Sequence, residues 1–441
     1  MFKKTIAGLL AALMVMGALV GCSDKSSDSE STKDTEKESG EEIVINYPTF
    51  MVGVNTSAKP VQALIDGFNE EYKGVYRIVK EEIPGDMNYV DKINVQLSTG
   101  DLPPVIYGGG FNLLDPVLAK DQVLDLTEYV NADPEWKALY SEAAMKANSR
   151  DGKIYASSCD GSLIGYYYNK DLFASVGIEE PAKTWDEFWK QCDTLKAAGI
   201  TPLSMDTADG AWVSTLWMGA MVATSNEAGL ELMTTTNPTD YNTPEMIAAA
   251  ENVQKMFKEY TTSDAVGSKY ENAANAFLSG ETAMIANGTW MTGDFYDTTK
   301  APEGFGDKVG TAVYPGNFVY DAPLQGYFAT KQDDPKLEEA AVEMIRYFTS
   351  ADAQRLVLEM QGMPPASPSI EASDEVKEKF PILADFLPKA ESATVRCDNF
   401  SATMFPNIPD IVSQEMPRLA TGEITPEQFC QALTDAAQKN V

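Results

Sequence analysis

The 441-residue chain contains no histidine. That absence excludes a Ser-His-Asp triad, a histidine general base and any metal site built on imidazole. Positive charge is scarce: 34 Lys and Arg stand against 66 Asp and Glu, a formal net charge of −32. Nucleic acid is therefore not expected as a partner, because no surplus of cations exists to neutralise phosphates. Cysteine is limited to five residues, none in CxxC spacing, so no thiolate metal centre or redox site is expected. A long hydrophobic run is missing as well. The apolar stretch at residues 6–21 has 16 residues, too few to span a bilayer comfortably. What the chain does hold is 44% hydrophobic residues with six Trp, 19 Tyr and 18 Phe, enough for a packed core and incompatible with bulk disorder. Its length suits two or three domain-sized units.

The short basic head Met1-Phe-Lys-Lys4 followed by that apolar stretch has the form of a signal-peptide core. The stretch ends Leu19-Val20-Gly21-Cys22, which resembles the bacterial lipobox, where small residues admit a signal peptidase and the cysteine sulfur takes a lipid. The other readings are an ordinary secretory signal or a buried cysteine. Residues 23–42 then carry six Ser, two Thr, eight acids, three Lys and one Gly, without an apolar side chain. Such a segment has nothing to bury and is expected to be a solvated tether of roughly 25 Å root-mean-square reach. The expected organisation is thus a lipoprotein signal peptide at 1–21, and a lipidated Cys22 with its disordered tether at 22–42. The folded body begins near Ile43, held at the membrane by a lipid without spanning it. The remaining Cys159, Cys192, Cys397 and Cys430 allow two disulfides in three pairings, or four small buried apolar side chains; the sequence leaves this open.

The body alternates strand and helix signals. Ile43–Tyr47 reads as a strand; Val61, Leu64, Ile65, Phe68 and Tyr72 then share a helical face that stops at Gly74. A second strand over 75–83, a helix over 88–98 and a third strand over 104–108 complete a β-α-β-α-β order that calls for a parallel sheet. Ligands bind such sheets beyond the carboxyl ends of the strands, which singles out the turns 49–55 and 108–112. No GxGxxG or GxxxxGK[ST] accompanies them, so nucleotide binding is not supported. Later helix starts are marked by a capping box at Thr184-Trp-Asp-Glu187, by Thr243-Pro244, by Asp334-Pro335 and by Thr425-Pro-Glu-Gln428. The reading is an α/β protein.

A series of phrases then carries a family resemblance: Leu97-Ser-Thr-Gly-Asp-Leu-Pro-Pro-Val105, Arg150-Asp-Gly-Lys-Ile-Tyr155, Gly165-Tyr-Tyr-Tyr-Asn-Lys-Asp-Leu-Phe173, Thr184-Trp-Asp-Glu-Phe188, Phe277-Leu-Ser-Gly-Glu-Thr-Ala-Met284, Asn287-Gly-Thr-Trp290, Gly326-Tyr-Phe-Ala-Thr330 and Gly362-Met-Pro-Pro365. In this order and spacing they resemble bacterial extracellular solute-binding proteins of the sugar-binding type, the family of ABC importers that includes maltose-binding protein. One departure is Pro104, where the family usually has Asp before a buried strand. The resemblance implies a two-lobed periplasmic-binding-protein-like fold, each lobe a sheet flanked by helices, with lobe one from 43–157 and 322–350 and lobe two from 158–321 and 351–441. It implies a solute held in the cleft by rigid-body closure and delivered to permease subunits on separate chains. A monomer with no catalytic residues, no metal and no cofactor is expected.

Sugars present an apolar C–H face to flat aromatics and a hydroxyl rim to Asp, Asn and Arg. On similarity to sugar binders Trp290 supplies a stacking indole; the alternative is a packed core tryptophan. Asp209 and Trp212 lie in a polar loop ahead of a helical pattern. Asp160 follows the expected lobe crossing, where it binds a hydroxyl or merely caps a turn. Phe50, Asn55, Phe111 and Asn112 occupy the strand-end turns, and Tyr327 follows Gly326 in the returning strand. Arg396, Asp398 and Asn399 form a weaker polar cluster. Trp217, Met218, Met221, Trp185, Trp189, Trp136 and the Tyr166-Tyr167-Tyr168 run read as structural. Two other functions stay open: an exported glycoside hydrolase, which needs two carboxylates and no histidine, and a binder of a non-sugar solute such as a polyamine.

Overall fold

The computed structural model describes residues 42–322 and 325–440. The signal peptide, the Cys22 lipidation and nearly all of the tether lie outside the described residues. Among those described, no helix is long and apolar enough to cross a membrane.

Strands β1 (Ile43–Thr49) and β2 (Tyr76–Glu82) pair in parallel, Ile45 opposite Ile78. The helix Ala58–Glu71 between them buries Val61, Leu64, Ile65 and Phe68, the face its sequence spacing announces. The next helix, Asp86–Thr99, ends at Gly100 in the left-handed region and leads into the fully buried β3 (Val105–Gly109). A small hairpin, β4 (Ser149–Arg150) and β5 (Lys153–Ile154), precedes β6 (Ala156–Ser157). The chain then enters a second sheet with β7 (Ser162–Asn169), β8 (Thr201–Leu203), β9 (Thr282–Gly288), β10 (Val309–Ala312) and β11 (Phe318–Ala322). It returns to the first lobe as β12 (Gln325–Ala329) and completes the second sheet with β13 (Val395–Cys397).

Periodicity suggests that β3 extends a parallel sheet. Instead β3 takes an antiparallel partner, β12, with Tyr107 opposite Tyr327, and β12 is flanked on its other side by β6. The partner strand arrives from more than 200 residues away, so no local pattern announces it. In the second lobe the order is β13-β11-β7-β9-β8, with β10 also on β7. β7 is the central strand, which explains why Tyr166 and Tyr167 are both buried although they point to opposite faces.

The cores separate the lobes. The largest cluster draws its members from Ile164 to Tyr320 and from Ile382 to Ala437, around Trp217. Its central helix, Trp212–Ala223, buries every residue from Val213 onward, as expected of a helix that is apolar all round. The second cluster takes Ile45 to Cys159 and Tyr327 to Met363. Ala353, Val357 and Met363 join this second cluster, and the helix Ala351–Gln361 packs both on the helix Ala58–Glu71 and on the turn Thr289–Phe295.

Local helix starts follow the sequence signals. Thr184, Thr243, Asp334 and Thr425 each accept a hydrogen bond from a backbone N–H of the first turn. Trp136, at the start of what looked like a surface helix, is only 3% exposed: its Nε1 donates to Ser157 Oγ and Thr349 Oγ1, both at 3.1 Å. The four cysteines of the body are free and buried, so the reading as small apolar side chains holds for them.

Candidate functional site

A cavity opens between the two cores, with about 1340 Å³ of free space, its mouth included. Phe50, Asn55, Phe111, Asp160, Asp209, Trp212, Trp290 and Tyr327 all line it. Asn112 does not. It is 3% exposed and turned into the first lobe, where its Oδ1 accepts from Gln325 Nε2 at 3.4 Å. Its turn lies at a strand end, but the buried run 111–114 leaves Asn112 facing the protein interior.

Trp290 follows β9 in a 3-10 turn, Thr289–Phe295. Its ring folds back over Gly288 so closely that a Cβ there would stand 2.2 Å from the indole; only glycine leaves that room. The indole Nε1 donates to Tyr270 Oη at 3.3 Å, and Asn287 Nδ2 donates to the same oxygen at 3.1 Å. Gln361 Nε2 donates to the Trp290 carbonyl at 2.9 Å and to Ser57 Oγ at 3.0 Å, tying the turn to the first lobe.

Trp212 is presented differently. Asp209, Gly210 and Ala211 have φ of 53°, 82° and 50°, three successive residues in the left-handed region. The two non-glycine residues cost roughly 1–2 kcal/mol each. Such strain persists only where the surroundings enforce it. Here Ser413 Oγ accepts from Gly210 N–H at 2.6 Å, and the buried Asp206 carboxylate accepts from Val213 and Ser214 N–H, holding the helix start that follows. The turn sets the Trp212 ring 5.8 Å from that of Trp290, tilted by 58°, so two indoles form one aromatic corner. Opposite, Phe50 packs on Phe111, Tyr89 and Tyr107.

The lobes touch around this cavity. A Cβ on Gly110 of lobe one would stand 3.4 Å from Trp212 Cη2 and 3.5 Å from Asn399 Nδ2 of lobe two. Lys59 of lobe one pairs with Asp297 of lobe two at 2.5 Å, holding that carboxyl well below the usual range. Lys300 donates to the Val54 carbonyl at 3.2 Å while pairing with Asp294 at 2.7 Å.

Sequence reasoning missed Asp86, Ser162, Tyr270 and Glu271, all of which line the cavity; Asn399, weighed only as part of a weak cluster, lines it too. Its neighbours Arg396 and Asp398 do not: Arg396 pairs with Asp321. Asp86 carried a signal, since it follows β2 at the carboxyl end of a strand. Tyr270 and Glu271 open a helix with nothing in the local sequence to mark them.

Negative charge is crowded here. Burial, then the charges of Asp209 and Glu271, push Asp86 up to about 7; burial alone pushes Asp160 up to about 7. Among the described residues no Lys or Arg lines the cavity. A carboxyl whose folded-state pKa is raised contributes stability in full below its unfolded value near 3.8, and that contribution is lost as pH rises to about 7. Asp86→Asn is therefore expected to gain on the wild type across this window: unfolding midpoints should favour the variant more at pH 7.5 than at pH 4.5. A constant difference across that range would refute the assignment.

The profile of bacterial extracellular solute-binding proteins matches residues 63–382. The chain belongs to that family. Among its relatives, the multiple sugar-binding protein of Streptococcus mutans serotype c is 23% identical over 231 residues, covering 48% of this chain and 51% of that protein. The sn-glycerol-3-phosphate-binding periplasmic protein of Brucella melitensis biotype 1 is 25% identical over 301 residues, 61% of this chain and 65% of the relative. The match thus spans between half and two-thirds of these relatives' length. A chitin oligosaccharide-binding protein of known structure superposes with a TM-score of 0.81 at 21% identity, covering 91% of this chain and 99% of that one. That likeness shows the fold: an α/β architecture of two lobes about a cleft.

Proposed function

We propose that the chain is the solute receptor of an ABC importer, capturing a sugar or oligosaccharide in the cleft by closure of its lobes and releasing it to separate permease subunits. One observation carries the reading: the indole corner of Trp212 and Trp290 stands in an inter-lobe cavity whose lining, among the described residues, includes no cation. An indole pair covers the apolar face of a pyranose, and carboxylates and amides accept from or donate to its hydroxyls. A phosphate-bearing solute, as in the name of the Brucella relative, asks instead for Arg, Lys or a helix N-terminus free of acids. The Trp290, Trp212, Asp209, Asp160, Tyr327, Phe50, Asn55 and Phe111 side chains are proposed as contacts, Asp86, Tyr270 and Asn399 beside them. The chain is proposed to cross between lobes after Cys159, after Tyr320 and after Met363, a multiply crossed hinge suited to rigid-body closure. A lipid on Cys22 would hold this monomeric receptor at the outer face of the membrane, and no covalent step on the solute is proposed.

The test is a thermal-shift screen against mono- and oligosaccharides, glycerol phosphate and polyamines, with product analysis of each sugar. A solute of 1 μM Kd at 1 mM adds about 4 kcal/mol, several degrees of melting temperature. A shift with an unaltered sugar supports the receptor reading. Cleavage of the sugar would make the chain a glycoside hydrolase, and a response confined to glycerol phosphate or polyamines would remove the solute assignment.

A further inference from the structure

Asp86, Asp209 and Glu271 come from three separate elements: the first turn of the helix Asp86–Thr99, the strained turn before Trp212, and the first turn of the helix Tyr270–Leu278. All three line the cavity. A Cβ on Gly85 would stand 3.7 Å from Asp209 Oδ2, and the fields of Asp209 and Glu271 both reach Asp86. Closing the lobes therefore brings three carboxyl groups to one cavity where, among the described residues, no Lys or Arg lines the wall, and Lys300 and Lys59 are engaged with Asp294 and Asp297. Like charges in a partly desolvated cleft oppose closure unless something of opposite sign arrives with the solute.

A second, independent observation points to a polar ligand in the same cavity. Among the described residues Ser162 Oγ and Asn399 Nδ2 find no hydrogen-bond partner, although their residues are 2% and 1% exposed and both line the cavity wall. Buried polar groups are ordinarily satisfied, so an orphaned hydroxyl and an orphaned amide beside one cavity call for a polar ligand. The indole corner adds a flat apolar surface for a ring.

We propose that the solute is a saccharide carrying a protonated primary amine, with the ammonium seated among Asp86, Asp209 and Glu271 and the sugar ring against Trp212 and Trp290. The inference rests on the saccharide-receptor reading above and sharpens it. An ammonium offers three donors and one positive charge, which suits a wall lined by several carboxyl groups and relieves their repulsion. Acetylation of the amine removes the charge and two of the donors, so an N-acetylated sugar loses both advantages. The burial that favours a proton on Asp86 in the empty cleft is offset when the ammonium arrives, so binding releases protons near pH 7.

Calorimetric titration of the full chain at pH 7 and low salt tests this. The probes are glucosamine oligosaccharides, their N-acetylated counterparts, the matching glucose oligosaccharides and spermidine. The amine-bearing sugars are expected to bind at least about 10-fold more tightly than both neutral series, with the advantage falling as salt is raised. Asp86→Asn and Asp209→Asn are each expected to erase that preference while leaving the melting temperature of the empty protein unchanged or higher. Equal or tighter binding of a neutral series would overturn the inference and leave the receptor reading standing. A preference that survives both substitutions would overturn the placement of the amine. Binding of spermidine alone, or of no saccharide at all, would sink both readings together.

Discussion

Replacing Trp290 by alanine is expected to weaken saccharide binding about 100-fold, the equivalent of ~2.7 kcal/mol, as read by calorimetric titration. The size follows from what the indole does. It is half-buried, packs against both cores, and meets Trp212 in the aromatic corner. Truncation removes the apolar surface for the sugar ring and also strands Tyr270 Oη, which loses its indole donor and keeps only Asn287. The fold is expected to tolerate the change, because the link to the first lobe runs from Gln361 to the Trp290 backbone carbonyl, which alanine retains. Trp290→Phe keeps a ring but no N–H and is expected to fall between the two. A binding constant within about threefold of the wild type for Trp290→Ala, with the protein folded, would refute a stacking role and return this residue to the core.

Gly326→Ala is expected to destabilise the protein by about 3 kcal/mol or more. Gly326 lies in β12, which crosses into the first lobe beside β6. A Cβ there would stand 1.9 Å from the Ser157 carbonyl oxygen and 2.6 Å from the Ser158 nitrogen. Both are backbone, so relief requires the strands to part. Parting them would also strain the Gly326 N–H bond to Asn148 Oδ1, at 2.9 Å, within a side chain that is wholly buried. Gly161→Ala supplies the control: its Cβ would meet nothing closer than the Pro365 carbonyl at 3.7 Å, an ordinary contact. Denaturant midpoints should therefore shift strongly for residue 326 and hardly for residue 161. Similar shifts for the two would show that the approach of β12 to β6 is looser than these distances require.

The two expectations differ in where their warrant lies. Trp290 could be singled out along the chain, since Asn287-Gly288 after a strand-like run marks a turn at a strand end. Gly326 looks like any glycine in a strand until β6 is placed against it. The same division runs through the whole molecule. The helix starts at Thr184, Thr243, Asp334 and Thr425 were legible because a cap and its first turn lie within four residues, and their hydrogen bonds close locally. The apolar face of the helix Ala58–Glu71 was legible for the same reason, its period being a property of one segment.

The cleft was legible in part. Eight of the nine candidate residues line one cavity because strand-end turns, a polar loop and a lobe crossing are features the chain displays in order. Asn112 failed because the direction of a turn residue is set by what packs around it, and Gln325 from the distant β12 draws its side chain inward. Glu271 was out of reach for a related reason, being an unremarkable polar residue in its own segment, whereas Asp86 at a strand end and Asn399 in a polar cluster carried only faint signals. Composition and local pattern thus determined the acidic balance, the alternation of strands and helices, the caps and the aromatic candidates, since these depend on interactions a few residues long. Tertiary structure alone decided that β12 pairs antiparallel with β3, that Ala353 and Val357 of the helix Ala351–Gln361 join the core of Ile45 and Tyr327, and that three carboxyl groups share one cavity with no Lys or Arg among its described lining. Those depend on burial between segments hundreds of residues apart, where the free energy of packing selects one register and no local spacing records the choice.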